Sequence, residues 1–182
     1  YNITYREMNM RLAISCLATL LLSTSALAAP KVIASIMPVH SIVASVMGDI
    51  GTPELLLSGK NSEHTASLSP QQLSDLGKAD VVFMIGRGLE HKLGQVSGSD
   101  AVGGKKFFTL SEALGIKTLK IREGGKFEVH EHEEEEHEGE EHDDHDEAIL
   151  KFDPHVWLDP ENAKAMTNAV AAELGKIDPE HA

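Results

Sequence analysis

From Lys31 onward the apolar residues fall into short clusters whose internal spacing alternates between continuous and helical. Residues 31–36 form a β-branched run that predicts a buried strand. Pro38 opens a helix whose apolar positions, Val39, Ile42, Val43, Val46 and Met47, mark one buried face, and Gly48 closes it. Residues 54–57 predict a second short strand, followed by a polar loop from Ser58 to His64. Ser69, Pro70 and Gln72 then read as N-cap, first helical position and capping-box partner, with Leu68 and Leu73 placed for a hydrophobic staple. Gly77 is expected to stop that helix early. Residues 81–85 are a third buried strand with a Gly86-Arg87-Gly88 turn at its end, and a helix begins within 89–93. Phe107-Phe108 is a fourth strand, and Ser111 caps a short helix over 112–114. Strands that alternate with helices across short turns predict an α/β fold, a parallel sheet flanked by helices on both faces. Ligands of such sheets sit outside the carboxyl ends of the strands.

The segment Asp153-Pro154-His155-Val156-Trp157-Leu158-Asp159-Pro160 holds the only Trp. The residue before each Pro favours extended backbone, and in an extended run side chains alternate. His155, Trp157 and Asp159 are therefore expected on one side, with Val156 and Leu158 turned into the core. This places His155 at the mouth of a strand, and Asp159, Pro160 and Glu161 start a helix as N-cap, first position and first-turn acid. A His at such a turn suits a metal ligand, a catalytic base, or a side chain that only bonds a neighbouring loop. His64 also follows a candidate strand, so both histidines can reach one sheet edge. His40 reads as a partly exposed residue of a helix start.

A length of 182 residues allows one domain, or one and a half. The net charge is −13, but 13 of the 29 acids lie in 128–147, where there is no Lys or Arg. Elsewhere 16 acids face 16 Lys and Arg, so there is no basic patch and no nucleic-acid partner is expected. Segment 128–147 has almost no apolar residue and predicts a disordered loop inserted into the domain. His130, His132, His137, His142 and His145 are interleaved there with carboxylates, a composition that suits weak, auxiliary binding of divalent transition metals. At the other end, Arg11, the apolar run 12–22 and Ala26-Leu27-Ala28 have the order of a signal peptide with its cleavage site. Residues 1–9 precede a start at Met10 or Met8, and the mature protein, 29–182, is expected to be exported to the periplasm. The only Cys, Cys16, falls in the signal segment, which leaves the mature protein without disulfides or thiolate ligands.

Glu63-His64 before Ser69-Pro70, then Ala79-Asp80-Val81-Val82, Gly88-Leu89-Glu90 and the 153–160 segment resemble the metal-binding periplasmic components of ABC transporters. The zinc-uptake branch is the closest in kind, and the resemblance runs from about Lys31 to the end, the His-rich insertion included. It implies two α/β lobes joined by a long helix, with the metal held in the cleft between them. It further implies His64 and His155 as two metal ligands from the first lobe, and Glu63 as a carboxylate that can complete the shell. A third His would come from the second lobe. The chain ends at Ala182, where the family's linking helix would begin, so the second lobe is expected to be missing; His181, at that helix start, is not expected to be a ligand. One departure is local: Thr65-Ala66-Ser67 follow His64 where the family commonly has an aromatic residue.

Two imidazoles and a third nitrogen or oxygen ligand suit tetrahedral Zn2+, whereas manganese would take more carboxylate oxygen. A zinc hydrolase would also need two or three His and a carboxylate base such as Glu63, but no H-E-x-x-H motif is present. A soluble zinc buffer would make the acidic loop the whole function. The expectation is a monomeric zinc-binding component, not an enzyme, that captures Zn2+ outside the inner membrane and delivers it to a membrane permease.

Overall fold

A computed structural model describes residues 29–59, 62–99, 102, 106–122 and 152–182. Its elements are β1 (Val32–Ala34), α1 (Met37–Met47), β2 (Glu54–Leu55), α2 (Pro70–Lys78), β3 (Val81–Met84), α3 (His91–Ser97), β4 (Phe107–Thr109) and α4 (Pro160–Ile177). The four strands pair in parallel in the order β2-β1-β3-β4. The chain leaves β1 toward β2 on one side and returns to β3 on the other, so the strand order reverses between β1 and β3. In open α/β sheets the crevice at such a reversal is the usual ligand position.

The two central strands are buried at every residue, which is why 31–36 and 81–85 read as continuous apolar runs rather than alternating ones. Ile33, Val82, Phe83 and Leu76 have no exposed surface, and each such side chain contributes roughly 1.5–3 kcal/mol through burial. In α1 the buried face is Val39, Val43 and Met47. The helix stops at Gly48, whose φ of 52° lies in the left-handed region, a conformation that glycine adopts without a Cβ penalty. Helix α4 buries Asn162, Met166, Val170 and Leu174, a strict four-residue stripe, and packs on α1. Asp159 caps it as expected, Oδ1 accepting the Glu161 N–H at 2.8 Å.

Four local expectations are corrected. Helix α2 continues through Gly77 to Lys78 and ends at extended Ala79; a helical glycine costs only about 1 kcal/mol against alanine, too little to end a capped turn. The short turn near Ser111 is a 3-10 helix over Leu110–Glu112 preceded by Thr109, and Leu110 rather than a cap anchors it in the core. Strand β2 is only two residues, although the Leu56 and Leu57 N–H groups still donate to Ala34 and Ser35 carbonyls at 2.9 Å. The fourth correction concerns the segment around His155. It is not extended: Val156–Leu158 is a 3-10 turn, and among the described residues the only pairing nearby is a single antiparallel bridge from Phe152 to Lys120. Val156 is buried as expected, but Leu158 is 74% exposed, because the turn replaces strand alternation with a tighter rotation.

At the carboxyl edge of the central strands lies a buried acid. Glu90 Oε1 accepts Ser35 Oγ–H at 2.5 Å and the Ile85 N–H at 3.0 Å, and Oε2 accepts the Gly86 N–H at 2.9 Å. Burial pushes the Glu90 pKa up, and the three donors oppose that shift. Ser35 directly follows β1 and Ile85 directly follows β3, so one carboxylate ties both strand ends together. No described helix is long and apolar enough to cross a membrane.

Candidate metal centre

The loop between β2 and α2 leaves the sheet where the Leu57 N–H bonds the Ser35 carbonyl. It turns at Glu63, His64 and Thr65, with the Thr65 N–H donating to the Ser62 carbonyl at 3.2 Å and the His64 N–H to Ser62 Oγ at 3.3 Å. Ala66 is buried and holds the descending limb. Ser69 and Gln72 form the expected capping box, and the Gln72 amide also reaches back to the Leu56 carbonyl at 2.6 Å. That last bond joins the two ends of the loop, so Glu63 and His64 ride on a closed crest.

His155 is held differently. Asp153 Oδ1 accepts its backbone N–H at 3.0 Å and lies 2.6 Å from its Nδ1. The backbone N–H bond from His155, ahead of the side-chain one, holds the Asp153 carboxyl below the usual carboxylate range. The Trp157 ring stands 5.2 Å from the His155 ring, tilted by 59°. Underneath, the buried Asn162 side chain donates to the Val156 carbonyl at 3.1 Å and the Lys117 carbonyl at 2.8 Å, and accepts the Lys117 N–H at 2.8 Å. The Asp153 N–H adds a bond to the Leu119 carbonyl at 2.8 Å. The turn carrying His155 is thus tied to helix α4 and to the 117–120 segment.

The fold brings the three residues together. Glu63, His64 and His155 each offer a ligand atom, and these atoms lie within 4.8 Å of one another. The two imidazoles are 5.5 Å apart between centroids, with planes inclined by 56°. Nitrogen and oxygen ligands bind a divalent zinc-like ion at about 2.0–2.2 Å, so small side-chain rotations would let all three share one ion. Glu63 and His155 are half-buried and His64 is exposed, which leaves the remaining side of the site open. A cleft of about 330 Å³ beside it is lined by Gly86, Arg87, Thr109, Ser111, Asp153 and Val156, and by none of the three donors.

The other described histidines lie elsewhere. His40 Nε2 is 3.0 Å from the Pro53 carbonyl, His91 Nε2 is 3.1 Å from the Gln95 amide, and His181 Nδ1 is 2.8 Å from Asp178. The expected signal peptide, residues 1–28, and His130, His132, His137, His142 and His145 in the expected disordered loop lie outside the described residues.

The family model "Zinc-uptake complex component A periplasmic", ZnuA, matches residues 32–182. The chain belongs to the ZnuA family. It is 40% identical over 169 residues to the high-affinity zinc uptake system protein ZnuA of Brucella abortus, an alignment covering 83% of this chain and 50% of that protein. The ZnuA of Paracoccus denitrificans is 35% identical over 180 residues, covering 88% of this chain and 53% of its own. Among solved structures, a zinc-bound ZnuA deletion mutant is similar with a TM-score of 0.60 and 27% identity, over 84% of this chain and 48% of that one. The fold of Zn(II)-bound AdcAII from Streptococcus pneumoniae, in an E280Q variant, is similar with a TM-score of 0.61 at 24% identity, over 85% of this chain and 49% of that one. The chain spans about half the length of the curated relatives it matches.

Three supporting residues escaped the sequence reading. Asn162 carried a signal, since it occupies a core position of the Asn162, Met166, Val170, Leu174 stripe, and a polar residue there must find tertiary partners. Asp153 stands two residues before His155, a spacing at which a short acid can bond back to the following backbone. Glu90 stood in the Gly88-Leu89-Glu90 motif, but its bond to Ser35, 55 residues away, had no local signal, although its other two donors, the Ile85 and Gly86 N–H groups, lie close in sequence.

Proposed function

We propose that this chain is the first α/β lobe of a two-lobed zinc-binding component of an ABC transporter, which captures Zn2+ outside the inner membrane and hands it to the membrane permease. The carrying observation is that Glu63, His64 and His155, 92 positions apart at the extremes of the numbering, offer ligand atoms within 4.8 Å of one another. Two imidazole nitrogens and a carboxylate oxygen are a zinc-type donor set, poorer in oxygen than a manganese site. Zinc is here the cargo, and the open side of the site suits capture and release better than a closed structural site does. The family's description, a periplasmic zinc-uptake component, supports export through residues 1–28 and a binding rather than a catalytic role.

Because the chain spans about half of its relatives' length, the second lobe of a full-length protein is where a further ligand would come from. Residues 128–147 serve as an auxiliary, weaker zinc site in this reading. The test is a competition titration against a zinc chelator on the full-length protein, with and without residues 129–146. Deleting the segment is expected to remove weak zinc equivalents and keep one tight site. His64→Ala or His155→Ala is expected to weaken that site by at least ~10-fold, whereas His40→Ala and His91→Ala leave it unchanged. A tight site that vanished with the acidic segment would overturn the reading in favour of a soluble buffer.

A further inference from the structure

The three donors would form the inner shell, but one contact beside them bears on how the site selects its ligand atom. A neutral imidazole carries its proton on one ring nitrogen and offers the other to a metal, and the hydrogen bond at the first nitrogen decides which. In free imidazole side chains the two tautomers are both accessible. At His155, Asp153 Oδ1 lies 2.6 Å from Nδ1 and 3.0 Å from the donating backbone N–H. A carboxylate can only accept at these distances, so the ring proton belongs on Nδ1. The Trp157 and His64 ring centroids lie 5.2 and 5.5 Å from that of the His155 imidazole.

We propose that Asp153 is the positioning residue of the metal centre, fixing His155 in the Nδ1–H tautomer so that Nε2 is the ligand atom. The inference deepens the zinc-binding reading and rests on it. Asp153 touches no metal; it acts through His155. Two acceptor contacts at one oxygen define both the position of the ring and its tautomer, so the nitrogen lone pair is aimed before any ion arrives. Carboxylates in this relation to a metal-binding His typically matter by about 10- to 100-fold in affinity. His64 has no corresponding partner among the described contacts of its ring, only the ring contact with His155.

The experiment combines two readouts on the full chain. Long-range proton–nitrogen NMR spectra of the metal-free protein report the tautomer of each histidine, with His155 assigned by the signals lost in His155→Ala. The unsubstituted protein is expected to show Nδ1 protonated and Nε2 bare. Asp153→Ala should shift His155 toward the Nε2–H tautomer and weaken the tight zinc site by ~10-fold or more in chelator competition. Asp153→Asn keeps an acceptor oxygen, so it should retain the tautomer and lose at most a few-fold in affinity. A purely structural role would lower the thermal midpoint of Asp153→Ala and leave the tautomer as it was. That result, or unchanged affinity in Asp153→Ala when His155→Ala does weaken the site, overturns the positioning role while the zinc reading stands. Unchanged tight affinity in His155→Ala overturns both.

Discussion

The two limbs of the candidate metal centre are built on opposite plans. His155 sits in a turn bonded on every side: Asp153 at the ring and backbone, Asn162 beneath, Leu119 behind. His64 sits on an exposed crest held mainly at its ends, by the capping box and by the Gln72 bond to Leu56. In the zinc-binding reading proposed above, the first limb would be organised before a metal arrives, and the crest, exposed and bonded mainly at its ends, would give up freedom on binding. A ligand that must be ordered on binding returns less net affinity than one already in place. The difference suggests a division of labour, in which the 153–162 side sets the position of the ion and the crest closes onto it.

The largest expected effect breaks the comparison directly. His155→Ala should weaken tight zinc binding by about 100-fold, the upper end of what loss of supporting contacts causes, and His64→Ala by less, nearer ~10-fold. Chelator competition on the full-length protein measures both. Equal losses, or a larger loss at His64, would show that the two limbs are equally organised.

The next effect is on stability. Asn162→Ala leaves the Lys117 N–H and the Lys117 and Val156 carbonyls without their partner. An unsatisfied buried group costs ~1–3 kcal/mol, and of these bonds only the one to Val156 is buried, Lys117 being exposed to water, so roughly 1–2 kcal/mol of unfolding free energy should be lost. Urea denaturation of the metal-free protein would show it as a lower midpoint at unchanged slope. A change within about 0.5 kcal/mol, the range of an ordinary surface substitution, would mean that the turn does not depend on this anchor. Zinc affinity should fall as well, since His155 rides on the same turn.

The smallest effect belongs to the other limb. Ser69→Ala removes the side-chain half of the capping box at the foot of the crest, which typically costs about 1 kcal/mol. Its effect on zinc affinity should be smaller than that of Asn162→Ala, because the Gln72 bond to Leu56 still closes the loop. A larger effect on affinity than Asn162→Ala would reverse the assignment of the organised and the adaptive limb.

How far the sequence carried can be judged from particular residues. The buried runs of β1 and β3, the face of α1, the Ser69–Gln72 capping box and the Asp159 cap were all legible, because each depends on neighbours within a turn or two of chain. The turn and strand signals made His155 and His64 candidates for one sheet edge, but it was family resemblance that paired them with Glu63 as candidate ligands, since neither the 63–64 crest nor the 153–160 segment has a compact metal motif of its own. The conformation around His155 was misread, because proline bias toward extended backbone was overridden by the Asp153, Asn162 and Leu119 bonds that wind the chain into a 3-10 turn.

The sequence by itself therefore determined the central strands, the main helices, their order and the parallel α/β class, all of which follow from local periodicity and capping. Only the tertiary structure decided that ligand atoms of Glu63, His64 and His155 lie within 4.8 Å of one another, that a buried Glu90 ties β1 to β3, and that Asp153 bonds the His155 ring. The physical reason is range. Propensity and capping act over a few residues, whereas a ligand set and a buried carboxylate with its donors are assembled by chain segments tens of residues apart, and only sheet pairing and core packing bring those segments into contact.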